Sequence, residues 1–353
     1  MNTRRDFLRH MGALGTLAMG GHSLAALYGA ESPAASSRET PRHVLAFYYP
    51  WYGNPAATGG SGRWSHWRDI DENAKTIGSS THYPELGPYD SHDPKVIRQH
   101  CQWAKEAGLT GWIASWWGHG SFEDQAMPRI LDISGEHGLA VTIYYETIPG
   151  QPKTPKNAAN DIVRLLEKYA AHPAWLQVQG KPVVFIYGRA VGEVGVAAWG
   201  EVIQMVNKSF SRGAIFQGDQ FSPKAAEVFD GLHTYNTAGH LRGKSLEQVK
   251  AWCAETFPQW VKLARDAGRI SSLTVIPGYD DTKIRKPGLK VERYNGQSYT
   301  VQWEAAIAAN PDWVLITSWN EWHEGSEIEP SVEDGRKYLE LTRQMTARFI
   351  KRV

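Results

Sequence analysis

The sequence predicts an α/β fold built as a single (β/α)8 TIM barrel, and three observations carry that prediction. Eight short apolar, β-branched or aromatic runs recur along the chain. Amphipathic stretches with helical spacing separate them. No linker or low-complexity stretch interrupts residues 41–353, so one unit is the simplest reading.

In chain order the runs are HVLAFYY at 43–49, GWIASWW at 111–117, AVTIYYE at 140–146 and PVVFIYG at 182–188, then AIFQGD at 214–219, FDGLHTY at 229–235, LTVIPGY at 273–279 and WVLITSW at 313–319. Runs apolar on both alternating faces suit parallel strands covered from outside. The covering helices are expected at DPKVIRQHCQWAKEAG (93–108), AANDIVRLLEKYAAHP (158–173), SLEQVKAWCAETFPQWVKLARDAG (245–268) and TVQWEAAIAAN (300–310). A doubly wound sheet would carry a glycine-rich phosphate loop after its first strand, and FYYPWYG is nothing like one.

The first 30 residues read as a signal rather than as part of the fold. Arg4 and Arg5, then Phe7 and Leu8, then a Gly/Ala/Leu stretch form a twin-arginine export pattern, with cleavage expected after Ala25 or near Ala30. Residues 31–42 are expected to be a disordered lead-in and residues 43–353 the catalytic domain. This predicts a periplasmic or secreted protein with no membrane span in its mature form. Two cysteines, Cys101 and Cys253, exclude a disulfide framework and leave one bridge open.

Charge narrows the partner. With 38 basic against 37 acidic residues, the chain lacks the electrostatic footprint of a nucleic-acid or anionic-membrane binder. In a barrel the active site forms at the C-terminal strand ends. Those ends hold Tyr48, Tyr49, Trp51 and Tyr52; Trp116, Trp117 and His119; Tyr144, Tyr145 and Glu146; Tyr187; Asp219 and Gln220; His233 and Tyr235; Tyr279 and Asp280; Asn320 and Glu321. Aromatic faces with carboxylates among them suit a neutral, polyhydroxylated oligo- or polysaccharide.

Glycosidic cleavage needs a proton donor for a poor leaving group and a second group opposite it, which is why carboxylate pairs mark most glycosidases. Glu321 and Glu324 are the candidate pair, bracketed by Trp319, Asn320, Trp322 and His323 in TSWNEWHEGSEIEP (317–330). Placed in a loop, their separation does not follow from their spacing. Glu327 and Glu329 read as solvated loop. His323 between glutamates lacks the HExxH spacing of a metal site, so no metal or cofactor is expected.

SWNEWHEGSEIEP closely resembles the signature of glycoside hydrolase family 99, the endo-acting α-mannosidases and α-1,2-mannanases, which typically has Phe where Trp319 stands. FYYPWYG with His66 and Trp67, YPELGPYDSHDP at 83–94, FDGLHTY, and PGYDDTKIR at 277–285 followed by YNGQSY resemble the other blocks of that family in the same order. The resemblance implies a (β/α)8 barrel and a retaining reaction without a protein nucleophile. The residue matching Glu321 would act as base on the substrate's own 2-hydroxyl, forming a 1,2-anhydro sugar. The residue matching Glu324 would act as general acid, then as base for the opening water. Substrate contacts would come from Tyr48, Tyr49, Trp51, Trp116, Trp117, Tyr235 and Arg285, with Glu146, Asn320 and His323 beside them.

Departures fall around the binding rim. Tyr144 stands where the family commonly has His, Thr147 and Ile148 where Pro and Tyr are usual, His233 where Tyr is usual, and Lys286 and Pro287 where Pro and Trp are usual. Both glutamates are intact. The reading is therefore a retaining hydrolase of α-mannosidic, α-1,2-mannan-type bonds, with a glycosidase of a different bacterial polysaccharide or a noncatalytic carbohydrate-binding protein as alternatives. Trp117 resembles the mannan-directed bacterial members.

Overall fold

The computed structural model describes residues 40–351. Eight parallel strands form the barrel: β1 (His43–Tyr48), β2 (Gly111–Trp116), β3 (Ala140–Tyr145), β4 (Lys181–Ile186), β5 (Ile215–Asp219), β6 (Gly231–His233), β7 (Ile270–Val275) and β8 (Trp313–Ile316). Each pairs with its neighbours in sequence, and β8 returns to β1 in the register His43↔Trp313 to Ala46↔Ile316. The predicted (β/α)8 barrel is the observed fold. The signal and most of the lead-in expected before it lie outside the described residues.

The helices are α1 (Pro94–Glu106), α2 (Phe122–Glu136), α3 (Pro155–Tyr169), α4 (Gly188–Val194), α5 (Val196–Ser209), α6 (Pro223–Val228), α7 (Ala238–Leu241), α8 (Leu246–Asp266), α9 (Gln297–Ala309) and α10 (Lys337–Ile350). Their starts follow from local chemistry. Asp93, Thr154 and Ser222 each cap a helix whose next residue is proline, which has no amide hydrogen to leave unpaired. Ser245 and Gln248 form a reciprocal capping box at α8.

The strands' two-residue period sorts their side chains into two cores. Along β1 and the residue after it, Leu45, Phe47 and Tyr49 join the barrel-filling cluster, whereas Val44, Ala46 and Tyr48 join the larger cluster between strands and helices. Trp313 and Leu315 fill the barrel beside Val183 and Phe185, and Val314 and Ile316 face the helices. Burying one such apolar side chain contributes about 1.5–3 kcal/mol, so this alternation fixes register strongly.

The seventh run is placed differently from its sequence outline. Strand β7 starts at Ile270 and ends at Val275, while Tyr279–Asp280 pairs antiparallel with Lys290–Val291 in a hairpin above the barrel. Pro277 has no amide hydrogen for the ladder, so the strand stops before it. Cys101 on α1 and Cys253 on α8 are buried free thiols rather than a bridge. No helix among the described residues is long and apolar enough to cross a membrane.

Candidate active site

Beyond β8 the chain folds back on itself at the barrel mouth. The Ser318 amide donates to the Ser326 carbonyl at 2.7 Å, and the Ile328 amide to the Ser318 carbonyl at 2.9 Å. Within that hairpin Trp322–Glu324 forms a 3-10 turn, a more ordered element than the loop expected from sequence. Ser318 Oγ accepts the Glu321 amide at 2.7 Å, and the Glu321 carbonyl accepts the Glu324 amide at 3.2 Å. Glu321 and Glu324 are 1% and 2% exposed.

Gly325 closes the turn at φ 54°, a left-handed conformation that favours glycine. A Cβ there would lie 2.7 Å from Thr81 Oγ1 and 3.2 Å from the Asp280 backbone, so there is also no room for one.

Two residues from the loops after β6 and β7 address Glu324. The Tyr235 hydroxyl donates to Oε2 at 3.2 Å, and Arg285 Nη2 donates to Oε1 at 3.2 Å. Arg285 is held by Asp281 at 2.6 Å and by the Tyr279 hydroxyl at 3.1 Å. Burial works against its charge, yet Glu324, Tyr279 and Asp281 together keep its proton held more firmly than usual.

Tyr235 is fixed in turn by Asp219, whose Oδ1 accepts its amide at 3.0 Å and whose Oδ2 accepts the Tyr144 hydroxyl at 2.9 Å and the Gly188 amide at 3.0 Å. Burial pushes the Asp219 carboxyl up to about 6 despite those donors.

The opposite wall is aromatic. Trp51 stacks on His66 at 4.5 Å and 7°, and His66 on His323 at 5.5 Å and 18°. His323 Nε2 donates to the His66 carbonyl at 2.9 Å, and burial lowers its pKa to about 4, so the ring is neutral near pH 7. Tyr49 packs on Trp51 at 4.5 Å. At the end of β3, Glu146 accepts from Ser115 Oγ at 2.7 Å, and Trp117 Nε1 donates to the same hydroxyl at 3.1 Å.

Four candidates sit elsewhere than expected. Tyr48 and Trp116 lie on the outward parity of their strands: Tyr48 hydrogen-bonds His100 at 3.1 Å, and Trp116 donates to Asp124 at 3.0 Å, both between barrel and helices. His233 lies within the barrel, its ring 5.0 Å from Phe185 and 5.8 Å from Tyr144, and burial lowers its pKa to about 3. The Asn320 side chain clasps the Tyr49 backbone at 2.7 and 3.1 Å and donates to the Tyr89 hydroxyl at 3.0 Å. It ties β8 to β1 behind the carboxylates. The other candidates, Tyr49, Trp51, Trp117, Tyr144, Glu146, Tyr235, Arg285 and His323, gather at the mouth with Glu321 and Glu324.

Glu327 and Glu329 are not solvated. Glu327 pairs with His82 and Arg293, each at 2.6 Å, and Glu329 pairs with His100 at 3.0 Å while accepting from Tyr89 at 2.8 Å and Trp322 at 3.2 Å. The partners come from distant loops and α1, which local sequence does not reveal. Asp219, Asp281 and Arg293 are the residues that sequence reasoning left out of the site. Of these Asp219 carried a signal in its place at a strand end and Asp281 in its place within PGYDDTKIR, whereas Arg293 carried none. Among the described residues no group of three or more His, Cys, Asp or Glu is disposed to hold a metal ion.

The chain is 30% identical over 360 residues to glycoprotein endo-alpha-1,2-mannosidase of Mus musculus, covering 87% of this chain and 74% of that one. It is 30% identical over 358 residues to the human glycoprotein endo-alpha-1,2-mannosidase-like protein, covering 87% and 75%. A solved structure of the family 99 endo-alpha-mannosidase from Bacteroides thetaiotaomicron superposes with a TM-score of 0.73 at 28% identity, covering 88% of this chain and 97% of that one. A Streptomyces cattleya family 5 enzyme, 13% identical with a TM-score of 0.55 over 90% of this chain and 82% of its own, shares the barrel alone. The family model for Glycosyl hydrolase family 99 matches residues 40–352, the same span that builds the barrel and both carboxylates, and this chain therefore belongs to that family of glycoside hydrolases.

Proposed function

We propose that the enzyme is a retaining endo-acting α-mannosidase that cleaves α-1,2-linked, mannan-type chains. The observation that carries the reading is the pairing of Glu321 with Glu324 on one buried turn, with Tyr235 and Arg285 around the second carboxylate. The names of the mannosidase relatives supply the sugar and linkage.

In an α-mannoside, O2 and the leaving group are both axial and on opposite faces. Glu321 removes the proton of the 2-hydroxyl as O2 attacks C1. The glycosidic C1–O bond breaks, and Glu324 gives its proton to the departing oxygen. The 1,2-anhydro sugar is then opened by water, from which Glu324 takes a proton while Glu321 returns one to O2. Glu324 thus alternates between acid and base. The Tyr235 hydroxyl suits both states, because it can donate to a carboxylate or accept from a carboxylic acid.

A second reading, a different polysaccharide with an axial 2-hydroxyl, is favoured by Tyr144, whose hydroxyl is committed to Asp219 on the cleft floor. Product analysis with α-1,2-linked mannobiose, mannotetraose and yeast-type mannan, run beside Glu324→Gln, separates the two. Release of α-configured oligosaccharide by the parent alone supports the first reading; no release from any of them moves the assignment to the second. A 2-O-methyl substrate cleaved at the normal rate would remove the anhydro-sugar step from either.

A further inference from the structure

The turn that carries Glu324 is gripped from behind by groups that the reaction above leaves unused. Arg293, on the loop after β7, sets Nη2 3.1 Å from the Gly325 carbonyl, 3.1 Å from the Glu327 carbonyl and 2.6 Å from Glu327 Oε1. His82, on the loop between β1 and α1, brings Nδ1 to 2.6 Å from the same Oε1. Glu327 is 1% exposed, so this is a buried anion between two donors from separate loops.

The guanidinium is itself held, 3.5 Å from Asp334 Oδ2 and 4.6 Å above the centre of the Tyr338 ring. Burial disfavours a charged imidazole, but Glu327 outweighs it and keeps the His82 pKa above its ordinary value.

Two features link this cluster to the chemistry rather than to the fold at large. The Gly325 carbonyl that Arg293 holds belongs to the residue next to Glu324. Gly325 is also closely enclosed, since a Cβ on it would meet Thr81 Oγ1 at 2.7 Å and the Asp280 backbone at 3.2 Å. A displacement of its carbonyl moves the peptide bonded through one residue to Glu324. Arg285 grips the carboxylate from the front, and Arg293 grips the backbone behind it. A misplacement of about 1 Å in such a group can cost on the order of 100-fold in rate.

We infer that Arg293 and Glu327, braced by His82, are positioning residues that aim Glu324 at the leaving-group oxygen. The inference rests on Glu324 being the general acid. A dinitrophenolate leaves without a proton, so a misaimed acid slows release of a sugar alcohol and spares a dinitrophenyl glycoside of the same donor. A residue that only stabilised the fold would slow both alike.

The test measures kcat and KM for Arg293→Lys and Glu327→Gln on an α-1,2-linked mannan oligosaccharide and on the dinitrophenyl glycoside, with Tm recorded for each variant. Both changes keep a hydrogen-bonding group in place, whereas Arg293→Ala would strand a buried carboxylate and mimic the effect by unfolding. The expected result is a loss of about 10- to 100-fold in kcat/KM on the oligosaccharide, carried by kcat with KM within about twofold, and less than about threefold on the dinitrophenyl glycoside.

Equal losses on both substrates, or no loss on either, would overturn the inference. Glu324→Ala run alongside separates the two levels. Because Glu324 also serves as base in the opening step, the comparison is made on kcat/KM, which reads the steps up to departure of the leaving group; if that falls equally on both substrates, the acid assignment fails and the inference with it. If Glu324→Ala is spared on the dinitrophenyl glycoside while Arg293→Lys is not, the positioning role alone fails.

Discussion

In the proposed mechanism Glu324 is the general acid and base, and its surroundings are polar, buried and crowded. Replacing it with Gln keeps the shape and removes the transferable proton. Glu324→Gln is expected to lower kcat on mannan oligosaccharides by about 10²- to 10⁴-fold while leaving Tm within a few degrees; product release and a thermal melt check both halves. Tyr235→Phe removes one hydrogen bond to Glu324 Oε2 but keeps the ring contacts with Phe47 at 5.1 Å and Tyr144 at 5.9 Å. A kcat loss of about tenfold with little change in KM is expected, since a charged-group hydrogen bond contributes about 1.5–3 kcal/mol. A rise in KM with kcat unchanged would instead make Tyr235 a ground-state substrate contact.

At the scale of the element, the hairpin that carries Glu321 and Glu324 depends on two anchors outside the proposed chemistry. The first is Gly325. Gly325→Ala must accommodate a Cβ 2.7 Å from Thr81 Oγ1 in a backbone conformation that costs a non-glycine residue about 1 kcal/mol or more. Activity should fall more than stability, and comparing kcat with Tm tests that. The second is Glu329 with His100, Tyr89 and Trp322, which joins the hairpin to α1 and the loop after β1. Glu329→Ala leaves a buried imidazole, a phenol and an indole short of an acceptor. A destabilisation on the order of 3 kcal/mol is expected by chemical denaturation, because buried polar groups without partners are expensive.

For the whole molecule, acid is the expected weakness. Burial lowers the pKa of His233 to about 3 and of His43 and His323 to about 4, so the folded protein keeps these rings neutral where the unfolded chain protonates them. Below pH 6.5 the unfolded state binds more protons, so the stability due to these rings is fully present above that value and is lost as pH falls towards 4 and 3. Asp219, raised to about 6, acts in the opposite sense: its folded form binds the extra proton, and stability falls as pH rises from about 4 to 6. Downward shifts at His92 and His240 add to these rings and upward shifts at His82, Glu123 and Asp161 add to Asp219, and the three deeply lowered rings leave a net loss in acid, on the order of 2 kcal/mol per fully shielded ring by about pH 5. Tm measured from about pH 7 down to pH 5 should therefore decline. A flat profile would mean that these rings are more open to water than their packing indicates.

The sequence by itself determined the barrel and placed Glu321 and Glu324, the proposed catalytic pair, just beyond its last strand. Eight apolar runs with helical stretches among them admit few other closures, and strand-end location places a carboxylate near the mouth whatever the loops do. Of the proline-led helix starts it showed that of α1 at Asp93, whereas α3 begins at Pro155 rather than at Ala158 and α6 lies outside the expected stretches, although Thr154 and Ser222 cap them through bonds within one turn.

Only the tertiary structure decided which aromatic faces the cleft. Tyr48 and Tyr49, or Trp116 and Trp117, are equal in composition, and one residue of parity sends the first of each pair behind the strand. It likewise decided that Glu327 and Glu329 are buried, since His82, His100 and Arg293 reach them from 245, 229 and 34 residues away along the chain. A carboxylate on a loop reads as solvated until the partner that offsets its desolvation is brought to it, and that is done by the closure of the barrel rather than by any neighbour in the sequence.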